Sequence, residues 1–367
     1  MLANAPADDR TATSEAVGIV VIGRNEGAWL IRCLDSLAEA QAPIVYVDSG
    51  SDDGSPEAAV ARGAEVVALD ASKGFTAARA RNAGLEALLG AHPDLRFVQF
   101  VDGDCEVVPG WLSAAQAALE AAPSLAAVAG RRRERFPNAS IFNRLCDMEW
   151  NTPVGPARAV GGDAMYPIDA LKAVGGFDPT LICGEEPELC LRLARAGWTV
   201  ERLDRDMTLH DAAMSRWGQW AKRAQRSGWA FAEGANRYGD GPERYNKRQA
   251  RSIWIWGAAA PAAILVAALV TLGLVAIGSA LWPVPALLAV LGLAAYPAMA
   301  WRIARYRRAA HGDPPEHARL YGAMTMLAKF PQFLGVLSYR KAKREGRAAQ
   351  IIEYKDVGAA KAERKGV

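Results

Sequence analysis

An imbalance of charge is nearly absent from this chain. Its 43 Lys and Arg against 40 Asp and Glu leave +3 over 367 residues, which gives no basis for bulk nucleic-acid binding. Cysteine is scarce and unpatterned. Cys33, Cys105, Cys146, Cys183 and Cys190 form no CxxC pair and are odd in number. That argues against a zinc cluster or a disulfide framework and suits a reducing compartment. The start, MLANAPADDRTATSEA, has neither a basic n-region nor an apolar core. No signal peptide is expected there, and 1–15 is expected to be a disordered tail. No GxGxxG opens the first helix and no Walker A motif occurs, so the dinucleotide fingerprint and the phosphate loop are both missing. From Ser252 to Trp301 there is no charged residue at all.

What is present is organised around Phe97 to Glu106, FVQFVDGDCE. The apolar run reads as a buried strand, and Asp102 and Asp104 stand where it leaves the sheet. Open α/β sheets bind ligands at the carboxyl ends of their strands. Two carboxylates separated by Gly103 can share a divalent cation and a diphosphate, or can simply form a polar Asp-Gly turn. Upstream, Ala16–Ile22, Ile44–Val47 and Val66–Leu69 read as strands alternating with helices, which predicts βαβ units, a mostly parallel sheet and helices on both faces. Acids recur at the strand ends as Glu26, Asp48, Asp102 and Asp104. A pocket that acidic repels a diphosphate unless a cation bridges them.

Downstream, Leu125–Ala129 reads as a further strand, with Arg131–Arg135 as a solvated loop or a basic contact. Gly161-Gly162-Asp163 is a small-residue turn that allows close backbone approach. Glu185, Glu186 and Glu188 fall in the first turn of an amphipathic helix, where the helix dipole favours acids. If Glu185 and Glu188 satisfy the helix start, Glu186 remains as a candidate base. His210 follows a further strand.

Fifty uncharged residues exceed one crossing, since about 20 span a bilayer. Gly278–Pro285 divides them into Ile253–Ile277 and Leu281–Trp301, with Trp254, Trp256, Trp282 and Trp301 near the ends. Lys247, Arg248 and Arg251 precede the hairpin and Arg302, Arg305, Arg307 and Arg308 follow it. The positive-inside rule then puts both flanks in the cytoplasm; the competing reading is a buried soluble helix pair. Leu320–Tyr339, ending in Arg340-Lys341-Ala342-Lys343-Arg344, suits a helix on the membrane surface with its basic end on anionic headgroups, with a third crossing as the alternative. The expected organisation is a catalytic domain at 16–235, a basic linker at 236–252, two transmembrane helices at 253–301, a juxtamembrane and interfacial helix at 302–345 and a mobile tail at 346–367.

Six motifs occur in order: VVIGRNEG, VDSGSDDGS, ARARNAG, FVDGDCEVVPGW, GGDAMYPIDALKAVGGFD and GEEPELCLRLARAGW. Over roughly Gly18 to His210 the chain resembles family 2 glycosyltransferases of the GT-A fold. The resemblance implies inverting sugar transfer from a nucleotide-sugar donor, with Mg²⁺ or Mn²⁺. It places Asn25, Glu26, Asp48, Ser51, Arg81 and Asp102 around the nucleotide, and Asp104 and His210 on the metal. Glu186 would be the catalytic base, where the family usually has Asp. Gly162, Asp163, Arg216 and Trp217 are expected on the acceptor side. The processive QxxRW motif is incomplete, because Ala213 replaces Gln ahead of Arg216-Trp217, which favours a single transfer. The partners expected are a lipid-linked or glycan acceptor and a membrane of the bacterial inner type, with no nucleic acid. A sugar nucleotidyltransferase, a transporter and a non-catalytic sugar-binding scaffold are the competing classes.

Overall fold

The computed structural model describes residues 16–346 except 71 and 73; the two expected tails, apart from residue 346, lie outside the described residues. The chain forms two compact units that divide between Ala213 and Met214, ahead of the boundary expected at 235.

The first unit is a nine-stranded sheet flanked by helices. In chain order it runs β1 (Val17–Gly23), α1 (Ala28–Leu37), β2 (Ile44–Asp48), α2 (Ser55–Val60), β3 (Glu65–Ala68), α3 (Ala77–Ala91), β4 (Phe97–Asp102) and β5 (Cys105–Val107). It continues through α4 (Trp111–Ala121), β6 (Leu125–Glu134), α5 (Ile141–Trp150), β7 (Gly155–Pro156), β8 (Ala164–Pro167), α6 (Ile168–Val174), α7 (Glu185–Arg195) and β9 (Thr199–His210). The strand order is β3-β2-β1-β4-β8-β6-β9-β5, with β7 on β9. The first four strands are parallel, as their βαβ alternation predicts. Beyond β4 the sheet is mixed: β8 and β5 run antiparallel to their neighbours, while β6 and β9 pair parallel. Val17, Ile19, Val20 and Val21 are all fully buried, and each such side chain contributes about 1.5–3 kcal/mol. β6 runs on to Glu134, so Arg131–Glu134 is strand, not the solvated loop; the charges hide a strand whose three successive arginines each find a carboxylate.

Parallel registry sets the ligand edge. Gly23 pairs Asp48, and Ile22 pairs Asp102, so the loops after β1, β2 and β4 leave the sheet side by side.

The second unit is helical. α8 (Trp217–Tyr238) precedes α9 (Lys247–Trp254), which passes through a π-helical turn at Ile255–Ala259 into α10 (Ala260–Ala276). α11 (Pro283–His311), α12 (Pro315–Leu327) and α13 (Lys329–Arg344) follow. Among the described residues, Lys247–Ala276 and Pro283–His311 are long and apolar enough to cross a membrane, and almost none of their apolar stretches is covered by protein. Both extend beyond the expected spans, because their basic flanks continue the same helices. The expected linker 236–252 is helix at both ends, with turns at 239–246 between, and 320–339 is two helices meeting at Ala328.

Candidate active site

The site is built on a chain of buried ions. Arg81, near the start of α3, is 2% exposed. It donates to Glu185 Oε1 at 2.9 Å and to Asp102 Oδ1 at 2.9 Å, and stands 3.4 Å from Glu186. Arg132 on β6 donates to Asp102 Oδ2 at 3.1 Å and pairs with Asp163 at 2.8 Å. Asp163 is fully buried and also accepts the Asp102 N–H at 3.0 Å and the Thr208 hydroxyl at 2.7 Å. A Cβ on Gly162 would stand 2.9 Å from an Asp102 carboxylate oxygen and against the Arg81 guanidinium, so only glycine lets this chain close.

Arg81 is enclosed by carboxylates and anchors Asp102 to α7, where a direct nucleotide contact was expected. Asp163 is a fully buried member of the ion chain and Gly162 packs against Arg81 and Asp102, where contact with an acceptor was expected. Glu185 and Glu188 do not merely cap α7: Glu185 is held by Arg81, and Glu188 binds Arg192 at 2.8 Å. The helix start itself is Gly184, with no capping side chain.

Glu186 differs from its neighbours. Its side chain is 18% exposed. Burial and the charge of Glu185, only partly offset by Arg81, push its carboxyl up to about 7. Such a group takes a proton readily near neutral pH, as a general base must.

Asp104 and His210 form the second cluster. β5 pairs with β9 so that Cys105 faces His210, and His210 Nε2 lies 3.2 Å from Asp104 Oδ2. Burial, then the Arg132 charge, holds His210 down at about 4, so it is neutral at pH 7. Its Nδ1 is buried without a hydrogen-bond partner. If Nε2 is the unprotonated nitrogen, two lone pairs face each other across 3.2 Å, an arrangement that a cation relieves. The carboxylate oxygen suits Mg²⁺ or Mn²⁺, and the neutral imidazole adds a nitrogen ligand that the softer Mn²⁺ accepts more readily than Mg²⁺. Cys105 adjoins the pair, and burial holds its thiol well above the ordinary range. Arg81 pairs with Asp102, Glu185 and Glu186, and Arg132 with Asp102 and Asp163.

The first two loops form a cradle. Asp48 Oδ2 accepts the N–H groups of Gly50 and Ser51 at 3.0 and 2.9 Å, and Tyr46 donates its hydroxyl to Oδ1. The Asn25 N–H donates to Ser51 Oγ at 2.8 Å, and the Asp52 N–H to Asn25 Oδ1 at 2.8 Å. Glu26 packs beside Gly103, between the two aspartates. Arg216 and Trp217 belong to the second unit: the Arg216 N–H binds Gln219 Oε1, and Trp217 is 56% exposed with its ring edge-on to Trp220.

Sequence reasoning missed Arg132, Thr208 and Trp150, whose ring meets His210 edge-on at 4.8 Å. The signal for Arg132 was the period-2 continuation of β6 through three arginines, which turns only the middle one toward Asp102.

Residues 18–157 match the family model for glycosyl transferase family 2, and residues 118–301 that for glycosyl transferase family group 2. The chain is similar to the succinoglycan biosynthesis protein ExoA of Rhizobium meliloti (strain 1021), 26% identical over 210 residues. That match covers 54% of this chain and 63% of ExoA, less than two thirds of the relative's length. In fold it is similar to the mannosyltransferase PcManGT from Pyrobaculum calidifontis, solved with GDP-Man and Mn²⁺, at a TM-score of 0.55 and 19% identity over 92% of this chain and 89% of that one. Glucosyl-3-phosphoglycerate synthase from Mycobacterium tuberculosis, solved with Mn²⁺ and UDP, aligns at a TM-score of 0.44 and 18% identity over 62% and 81% of the two chains. The chain belongs to family 2 of the glycosyltransferases and has the GT-A fold.

Proposed function

We propose that the protein moves a sugar from a nucleoside-diphosphate sugar to a lipid-linked or membrane-proximal glycan acceptor, with inversion and one transfer per acceptor, in polysaccharide or glycolipid synthesis. The observation that carries this reading is Glu186, a partly exposed carboxyl raised to about 7 and held by Arg81 in the same ion chain as Asp102. Glu186 removes the proton from the acceptor hydroxyl as that oxygen bonds to the anomeric carbon. The anomeric C–O bond breaks, and its electron pair leaves with the nucleoside diphosphate. Asp104 and His210 would hold a divalent cation, whose charge neutralises the departing diphosphate when it is bound. Asn25, Glu26, Asp48 and Ser51 cradle the nucleoside, and Asp102 faces the ribose. Arg81 and Arg132 keep Asp102 in place without reorganisation.

The two apolar helices, with arginines and lysines at their outer ends and none in the turn between, support a multi-pass protein with both flanks in the cytoplasm. The name of ExoA supports a polysaccharide product. Incubating the purified full chain with UDP-, GDP- and TDP-sugars, Mn²⁺ and membrane lipid extract should give transfer from one donor class, slowed by about 10²–10⁴-fold in Glu186→Gln. Transfer of the nucleotidyl group to a sugar phosphate would replace this reading with a nucleotidyltransferase.

A further inference from the structure

The corner between α12 and α13 meets both apolar helices well inside their basic flanks. Along the first, Arg251 to Gly257 is about 9 Å at the α-helical rise. A Cβ on Gly257, within the π-helical turn, would run into the carbonyl of Lys329 and stand 2.8 Å from Phe333. Along α11, Tyr296 to Arg302 is again about 9 Å. The Tyr296 ring stacks on Phe330 at 6.2 Å and 7°, and its hydroxyl donates to the Trp256 carbonyl at 2.7 Å. Two separate helices therefore place Lys329 and Phe330 at one depth, level with Trp254 and Trp256 and below the rows of arginine.

Lys329 is half-buried there. Among the described residues its ammonium makes no ion pair or side-chain hydrogen bond. No carboxylate occurs from Ser252 to Trp301 or from Lys329 to Arg344. Around it, Leu327, Phe330 and Leu334 are 46%, 42% and 55% exposed. A lone cation at the aromatic level of a span, ringed by exposed apolar side chains, complements an anion that arrives with its own hydrocarbon.

We propose that Lys329 is a binding site for the phosphate headgroup of an anionic membrane lipid, whose acyl chains cover Leu327, Phe330 and Leu334. It is separate from the exposed basic end of α13, where Lys341 and Arg344 offer diffuse attraction. The site rests on the reading that the apolar helices span a bilayer.

The test uses the full chain in phosphatidylcholine vesicles with a trace of spin-labelled phosphatidylglycerol or spin-labelled phosphatidylcholine. Electron paramagnetic resonance measures the fraction of label held at the protein. Wild type should prefer phosphatidylglycerol, Lys329→Gln should lose about fivefold of that preference, and Lys329→Arg should keep it. Lys341→Gln should change it little. An unchanged preference in Lys329→Gln, or an equal loss in Lys341→Gln, overturns the site. Displacement of the label by millimolar inorganic phosphate overturns the lipid as occupant. Matched thermal midpoints in detergent separate loss of binding from loss of fold. Release of the protein from the vesicles by alkaline carbonate overturns the spanning reading and the site with it, whereas retention without any phosphatidylglycerol preference overturns the site alone.

Discussion

Glu186 sets the behaviour expected at the scale of single residues. Its raised carboxyl makes the basic form scarce in acid, so kcat should climb with pH to about 7 and level off above it. Glu186→Gln should lower kcat by about 10²–10⁴-fold with donor affinity nearly unchanged, read by steady-state kinetics beside nucleotide-sugar titration. The same shift has a stability consequence. The folded chain holds this proton more tightly than an ordinary Glu of about 4.3. The stabilisation is complete below that value and is lost as pH rises through about 7. Glu186→Gln should therefore unfold at a higher temperature than wild type at pH 8, with the difference closing towards pH 4. At the metal pair, Asp104→Asn should lose both turnover and Mn²⁺-dependent donor binding, and excess EDTA should silence wild type. Normal turnover of Asp104→Asn in EDTA would sink the cation assignment.

Among the elements, β6 and the α8–α13 pair make the sharpest claims. β6 presents Arg132 to buried Asp163 and to Asp102, but Arg133 to solvent, where it pairs with Asp206 at 55% and 43% exposure. Leaving a buried carboxylate without its cation costs about 3 kcal/mol or more, whereas an exposed pair contributes about 1 kcal/mol at most. Arg132→Met should accordingly destabilise far more than Arg133→Met in chemical denaturation; equal effects would remove Arg132 from the site. In α8 and α13 the contact is reciprocal. A Cβ on Gly228 would overlap the Gln332 carbonyl, and one on Gly335 would overlap that of Gln225. Gly228→Leu or Gly335→Leu should lower the thermal midpoint by forcing the helices apart, at roughly 1–3 kcal/mol, while the exposed Gly218→Leu should not.

For the whole molecule the main expectation is topology. Reporter fusions at the C-terminus and in the Gly278–Pro285 turn should give opposite signals, cytoplasmic for the former, because the arginine and lysine flanks lie outside an uncharged hairpin. A C-terminus on the far side would send an odd number of helices across and make the α12–α13 segment a crossing.

Much of this was decided along the chain. Apolar runs ending in Asp48 and Asp102 mark strands with functional ends, since a buried parallel strand needs an unbroken apolar stretch and its ligands lie just beyond it. The uncharged stretch from Ser252 to Trp301 likewise specifies two helices by its length and its break. Tertiary structure decided which acid stands opposite which base. Arg81 meets Glu185 across 104 positions of sequence, and Arg132 meets Asp102 across 30. Periodicity shows that a side chain faces the core, but not what waits there. Asp163 was legible as an acid on a glycine turn, and only the packing of β4, β6, β8 and β9 turned it inward as the anchor of Asp102. Lys329 was legible as a charge inside an apolar segment. Its depth follows from Gly257 and Tyr296, two contacts from distant helices that no local pattern contains.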